Sequence, residues 1–149
     1  MRYDRAMAAD LYPLIRVQKH ALEQKQKFLS ELYRQAEEFE SQKTNMLETL
    51  EKERVNLKDM GVEMLAYFGP YEKGVKARVK EIDEALVTLN ARIEKAREEI
   101  RDAFAELKKV EMTQEERELA EQKAVDKKQS DELDEIGLEV FRRKQESAD

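Results

Sequence analysis

The chain has 149 residues, 42% of them charged, with four glycines, two prolines and no tryptophan. This is the composition of long helices, and it excludes a compact mixed α/β domain. Its net charge of -6 is spread over interleaved acids and bases, so no basic stripe invites a nucleic acid, and the lack of cysteine removes disulfides, thiol catalysis and cysteine-ligated metal. Arg2, Asp4, Arg5 and Asp10 precede an apolar run that stops at Arg16, unlike a signal peptide, and no stretch approaches the roughly 18 apolar residues of a membrane span. A soluble, cytoplasmic protein is expected.

In chain order, Met1 to Asp10 is short and polar and is expected to fray. Pro13 suits a first helical turn, where a missing backbone donor costs nothing, so a long helix should begin near Asp10 or Leu11 with Asp10 as N-cap. Leu11, Leu14, Ala21, Phe28, Leu32, Phe39 and Met46 follow heptad rows along it, interrupted by Gln18, Lys25, Gln35 and Gln42. The pattern resumes at Leu50, Leu57 and Met64, a stutter that locally relaxes a supercoil. Gly69 and Pro70 are the strong breakers of the interior, which places a turn at about 68–73 between helix one at about 11–67 and helix two at about 74–144.

Val79, Ile82, Leu86, Leu89, Ile93, Ala96, Ile100, Ala103, Leu107 and Val110 alternate in steps of three and four, without a polar interruption. That is a coiled-coil seam with an obligatory partner. A short connection makes the helices antiparallel neighbours. A turn near residue 71 sets Phe39 opposite Ala103, Met46 opposite Ala96 and Leu32 opposite Val110, then Leu50 opposite Ile93, Leu57 opposite Leu86 and Met64 opposite Val79. Large residues then fall on small ones, as a filled seam requires. The expected fold is all-α: a single coiled-coil domain over 1–149, a long two-helix antiparallel hairpin whose helices run about 85 to 110 Å at 1.5 Å per residue.

Beyond Val110 the seam should fail, since Gln114, Arg117 and Glu121 come next in its register. Leu119, Leu133, Ile136 and Val140 form a sparser stripe, and Arg142, Arg143 and Lys144 suit the last turns of a helix. Residues 1–30 carry six basic and three acidic side chains, net +3, whereas 111–149 carry seven basic and thirteen acidic, net -6. Arms of opposite sign attract, though exposed pairs contribute only about 0 to 1 kcal/mol each.

No phosphate-binding glycine loop and no H-E-x-x-H sequence occurs. His20, the single histidine, has Val17 three residues before it rather than the Glu of a di-iron helix pair, and reads as a solvated side chain. Acid clusters such as Glu115, Glu116 and Glu118, or Asp131, Glu132, Asp134 and Glu135, lack the loop of a calcium site and read as solvated helix faces. Neither cofactor nor metal is expected. Met60, Met64, Tyr67, Phe68 and Tyr71 form either a plug closing the hairpin or a docking patch. Leu11, Tyr12, Leu14, Ile15 and Val17 make an apolar stripe wider than a facing arm covers.

Three segments carry a family resemblance: Leu14-Ile15-Arg16-Val17 opening a charged helix; Tyr67-Phe68-Gly69-Pro70-Tyr71 through Ala103-Phe104-Ala105-Glu106-Leu107-Lys108-Lys109; and Leu133-Asp134-Glu135-Ile136-Gly137-Leu138 before Arg142-Arg143-Lys144. The chain resembles the FliJ family, the cytoplasmic stalk protein of the flagellar type III export apparatus. The resemblance implies a non-enzymatic coiled coil like the rotor stalk of rotary ATPases. Its ends would insert into the hexameric flagellar export ATPase and promote assembly and activity. Another part would contact the cytoplasmic domain of the export gate membrane protein and the export chaperones, so that membrane association is peripheral and arises through partners at the cytoplasmic face of the inner membrane.

Together with the unmatched stripes, the resemblance suggests Leu14, Ile15, Arg16, Val17, Leu133, Ile136, Val140, Phe141, Arg142 and Arg143 for the ATPase, and Met64, Tyr67, Phe68, Tyr71 and Val75 for the gate. A stalk of the related injectisome, a homodimeric coiled-coil rod and a holding chaperone with helical tentacles are the alternatives.

Overall fold

The computed structural model describes residues 10–59 and 61–148, so the expectations for the segment before Asp10 and for Met60 lie outside the described residues. It contains two long helices that pack as a hairpin: α1, Tyr12–Asn56, and α2, Val62–Ala148, joined through a 3-10 turn at Leu57–Asp59. No strand occurs among the described residues. Packing divides the chain into two units, Met1–Lys19 with Ala105–Asp149, and His20–Phe104.

The His20–Phe104 unit holds the hairpin turn and the main core. On α2 the inward row is Val75, Val79, Ile82, Leu86, Leu89, Ile93, Ala96, Ile100 and Ala103, all buried or half-buried. The expected seam is therefore present, and it starts one turn earlier, at Val75. Its partner row on α1 is Leu22, Lys25, Leu29, Leu32, Ala36, Phe39, Lys43, Met46 and Leu50. Leu32, at 1% exposure, joins Leu89, Ile93 and Ala96 in a cluster that Leu29, Ala36 and Phe39 pack against. With Lys43 inward, the step from Met46 to Leu50 is a regular four-residue step of a row that alternates threes and fours throughout, so the expected stutter is absent from this row.

Three expectations are corrected. Ala21 and Phe28 of this unit, and Leu14 of the other, do not lie in the seam: all three are exposed. Lys25, read as an interruption, belongs to it instead, as does Lys43, because lysine lays its aliphatic stem along apolar surface and carries its charge out at the rim, whereas Gln42 is exposed. Lys25 reaches Glu99 at 3.9 Å and Lys43 reaches Asp83 at 2.7 Å. Phe28 lies outside the row with the Arg92 guanidinium 5.9 Å above its ring.

The second correction is the turn, whose described part is Leu57–Asp59 rather than a segment near Gly69. Asn56, Asp59 and Gly61 supply turn chemistry there. Pro70 is inside α2. Its ring removes the donor for the Ala66 carbonyl, and the surrounding residues Gly61 to Tyr67 and Gly69 to Tyr71 are exposed to solvent.

Register is the third. Lys43 with Asp83 and Arg54 with Glu72, the latter at 2.8 Å, set α1 against a part of α2 nearer the turn than expected. Leu32 accordingly meets Ile93 rather than Val110, and the expected pairs of Phe39 with Ala103, Met46 with Ala96, Leu50 with Ile93 and Leu57 with Leu86 give way; Met64 and Val79 lie on one helix. A half-heptad slide keeps apolar residues on apolar residues, so periodicity alone admits several registers.

Leu32→Ala should lower stability to chemical denaturation by about 2 to 5 kcal/mol, the range for truncating a buried leucine. Zero-length carbodiimide coupling should join Lys43 to Asp83 within one chain. Mass spectrometry finding that linkage solely between chains would contradict the hairpin.

Candidate partner-binding site

Unit Met1–Lys19 with Ala105–Asp149 contains the residues expected to meet an ATPase. Asp10 caps α1 by accepting the Tyr12 amide at 3.0 Å on Oδ1. The Leu11 amide, another donor that a helix start leaves unpaired, is taken by the Gln114 Oε1 of α2 at 2.8 Å. Pro13 has no amide to satisfy. Gln114 is thus a seam residue after all: it is buried, and the inward row ends there rather than at Val110. Its Nε2 donates to Glu118 Oε1 at 3.1 Å, and the Tyr12 hydroxyl donates to the same oxygen. A polar clamp therefore ties the first turn of α1 to Gln114 and Glu118.

The clamp decides what this end displays. Ile15, expected at the ATPase contact, is buried, whereas Leu14 and Val17 are 44% and 65% exposed and Arg16 is exposed. Past Gln114, every residue from Glu115 to Leu138 is exposed. Leu133 at 68%, Ile136 at 60%, Val140 at 46% and Phe141 at 60% keep large apolar side chains in solvent. Arg142 and Arg143 both pair with Glu139, at 2.8 and 3.4 Å. The two halves of the expected surface are not brought together: eighteen helical residues lie between Gln114 and Leu133, which are about 28 Å apart in rise.

The expected gate residues lie in the other unit. Glu53, Asn56, Leu57, Met64, Tyr67, Phe68 and Tyr71 line an open groove of about 550 Å³ beside the turn. Phe68 and Tyr71 stack tilted, with ring centroids 6.3 Å apart, and Tyr67 is 74% exposed, so the cluster is a surface patch rather than a plug. Val75, expected with them, is buried and lies in the seam. Sequence reading missed Glu53, Asn56 and Leu57 as neighbours of this patch, because a turn placed near Gly69 leaves them too far along helix one. Among the described residues no cluster of His, Cys, Asp or Glu could hold a metal, and no helix is long and apolar enough to cross a membrane.

The clamp carries its own electrostatics. The Tyr12 hydroxyl, then the Gln114 amide, stabilises the Glu118 carboxylate and holds its pKa below the ordinary 4.5. The bond to Glu118, then burial and the charges of Glu118, Asp10 and Glu115, pushes the Tyr12 phenol above 10.0. Glu118 therefore contributes above pH 4.5 and loses its contribution as pH falls through its lowered pKa; Tyr12 contributes below pH 10.0 and loses it as pH rises through its raised pKa. An NMR titration of the Leu11 amide, which donates to Gln114, should show the clamp intact at pH 4.5 and released at lower pH. Release centred above that pH would contradict the assignment.

The family model described as flagellar FliJ protein matches residues 7–146. No curated protein and no solved structure matches the chain. A match across nearly all of both helices, on a hairpin whose long seam was independently required by its apolar spacing, places this chain in the flagellar FliJ protein family, a non-catalytic component of flagellar export.

Proposed function

We propose that this protein is the stalk of the flagellar export apparatus: it binds and stimulates the hexameric export ATPase and links it to the export gate and export chaperones. This places it at the cytoplasmic face of the inner membrane, held there by its partners. The observation that carries the reading is the part of α2 beyond Gln114, where Leu133, Ile136, Val140 and Phe141 remain exposed on a continuous helix. Such a row on a charged helix is stable in water but gains by entering an apolar wall. Leu14, Arg16 and Val17 add a second contact zone on α1. A single asymmetric helix within a six-fold ring touches the subunits unequally, and it biases their states only if its contacts differ in free energy between those states.

Arg142 and Arg143, already paired with Glu139, would serve orientation and encounter rate more than affinity. The groove beside the turn, with Met64, Tyr67, Phe68 and Tyr71, is the contact proposed for the gate. Aromatic rings and methionine there supply adaptable apolar area.

The test is ATP hydrolysis by the partner ATPase with the native protein, with a Val17→Ser, Phe141→Ser variant, and with Ile93→Val as a folded seam control. The double variant should remain helical and stimulate roughly tenfold less at limiting concentration, the scale of lost apolar anchors. Full stimulation by that variant would move the ATPase contact away from both zones.

A further inference from the structure

We propose that the first turns of α1 form a detachable arm, held closed by the Gln114 clamp, whose release uncovers Ile15 and Leu107. The apolar packing of this unit is thin. Ile15 and Leu107 are its buried apolar side chains among the described residues, while Leu11 and Val110 are half-buried. Tyr12, Leu14 and Val17 point largely to solvent. Polar bonds therefore carry an unusual share of the docking: Gln114 takes the Leu11 amide, and Glu118 gathers both the Gln114 amide and the Tyr12 hydroxyl.

A second polar group opposes closure. Gln18 lies on the same inward row of α1, and its Oε1 is buried without a hydrogen-bond partner. A buried unpaired acceptor has lost its water and gained nothing in exchange, so opening would return water to it. One glutamine holds the arm and another works to release it. A segment in which a satisfied clamp and an orphaned acceptor oppose each other across few apolar contacts belongs to the low-stability end of a fold, where local opening precedes global unfolding. The His20–Phe104 unit has its own core around Leu32 and does not need the clamp. Opening would add Ile15 and Leu107 to the apolar surface that Leu14 and Val17 already show.

Amide hydrogen exchange on the full chain tests this directly, since the Leu11 amide reads the clamp itself. Gln114→Leu keeps the volume and removes the bonds. It should speed exchange between Leu11 and Lys19 by about 3- to 10-fold, the scale of one net hydrogen bond, and leave Leu86 to Ala96 unchanged. Tyr12→Phe, which alters no buried residue, should do the same to a smaller degree. Gln18→Leu should slow exchange in the same segment. The chain has no cysteine of its own, so the rate of thiol labelling at Leu107→Cys, combined with each variant, should follow the same order. Unchanged or slower exchange in both Gln114→Leu and Tyr12→Phe, acceleration of Leu86 to Ala96 in step with the arm, or faster exchange in Gln18→Leu would each overturn the proposal.

Discussion

Everything in the hairpin unit depends on one row of α2 finding one row of α1. Ile82 is fully buried and Leu32 nearly so, yet both sit on helices whose other faces are charged and wet. Most helical stability in proteins comes from burying such a face rather than from propensity. The seam is narrow, so lysines and glutamines at its edges are not incidental. Lys25 and Lys43 cover it with their stems and meet Glu99 and Asp83 across it, adding little energy but opposing a slide that would break every such pair together.

This explains which parts of the fold were legible in the sequence. The α2 row was readable because every seam position from Val79 to Val110 is apolar, and family resemblance and periodicity agreed on a hairpin. The α1 row was half hidden. Lysine and glutamine are counted as outward residues by any hydropathy pattern, while Leu14, Ala21 and Phe28, spaced as a seam should be, face solvent. The turn was misplaced because a Gly-Pro pair is a stronger local breaker than Asn56 to Gly61. Where a helix is exposed on both sides of a proline, however, the missing donor costs little, and the register of the whole pair decides.

The candidate surfaces were legible in kind and less so in membership. Exposed leucine, valine and phenylalanine near the ends of a charged helix are visible in a sequence, but burial of one residue among several is not. Ile15 and Val75 turn inward because each sits on the three-four spacing of its row, a fact available only once that row is fixed. Gln114 was on the spacing from the start. Its polarity made it look like the end of the seam, whereas its amide is what an antiparallel partner with an unpaired backbone donor calls for.

Leu119 to Leu138, beyond the clamp, are all exposed. Helix there is maintained by local propensity and by neighbouring side chains such as Gln122, which donates to Asp126 at 2.9 Å. A surface with no packing obligations is free to drift: one side chain after another can be exchanged without threatening the fold, provided the newcomer tolerates a helix. Selection on that stretch can act only through what touches it, so its chemistry can follow a changing partner while the seam, bound to its own opposite row, stays where it is.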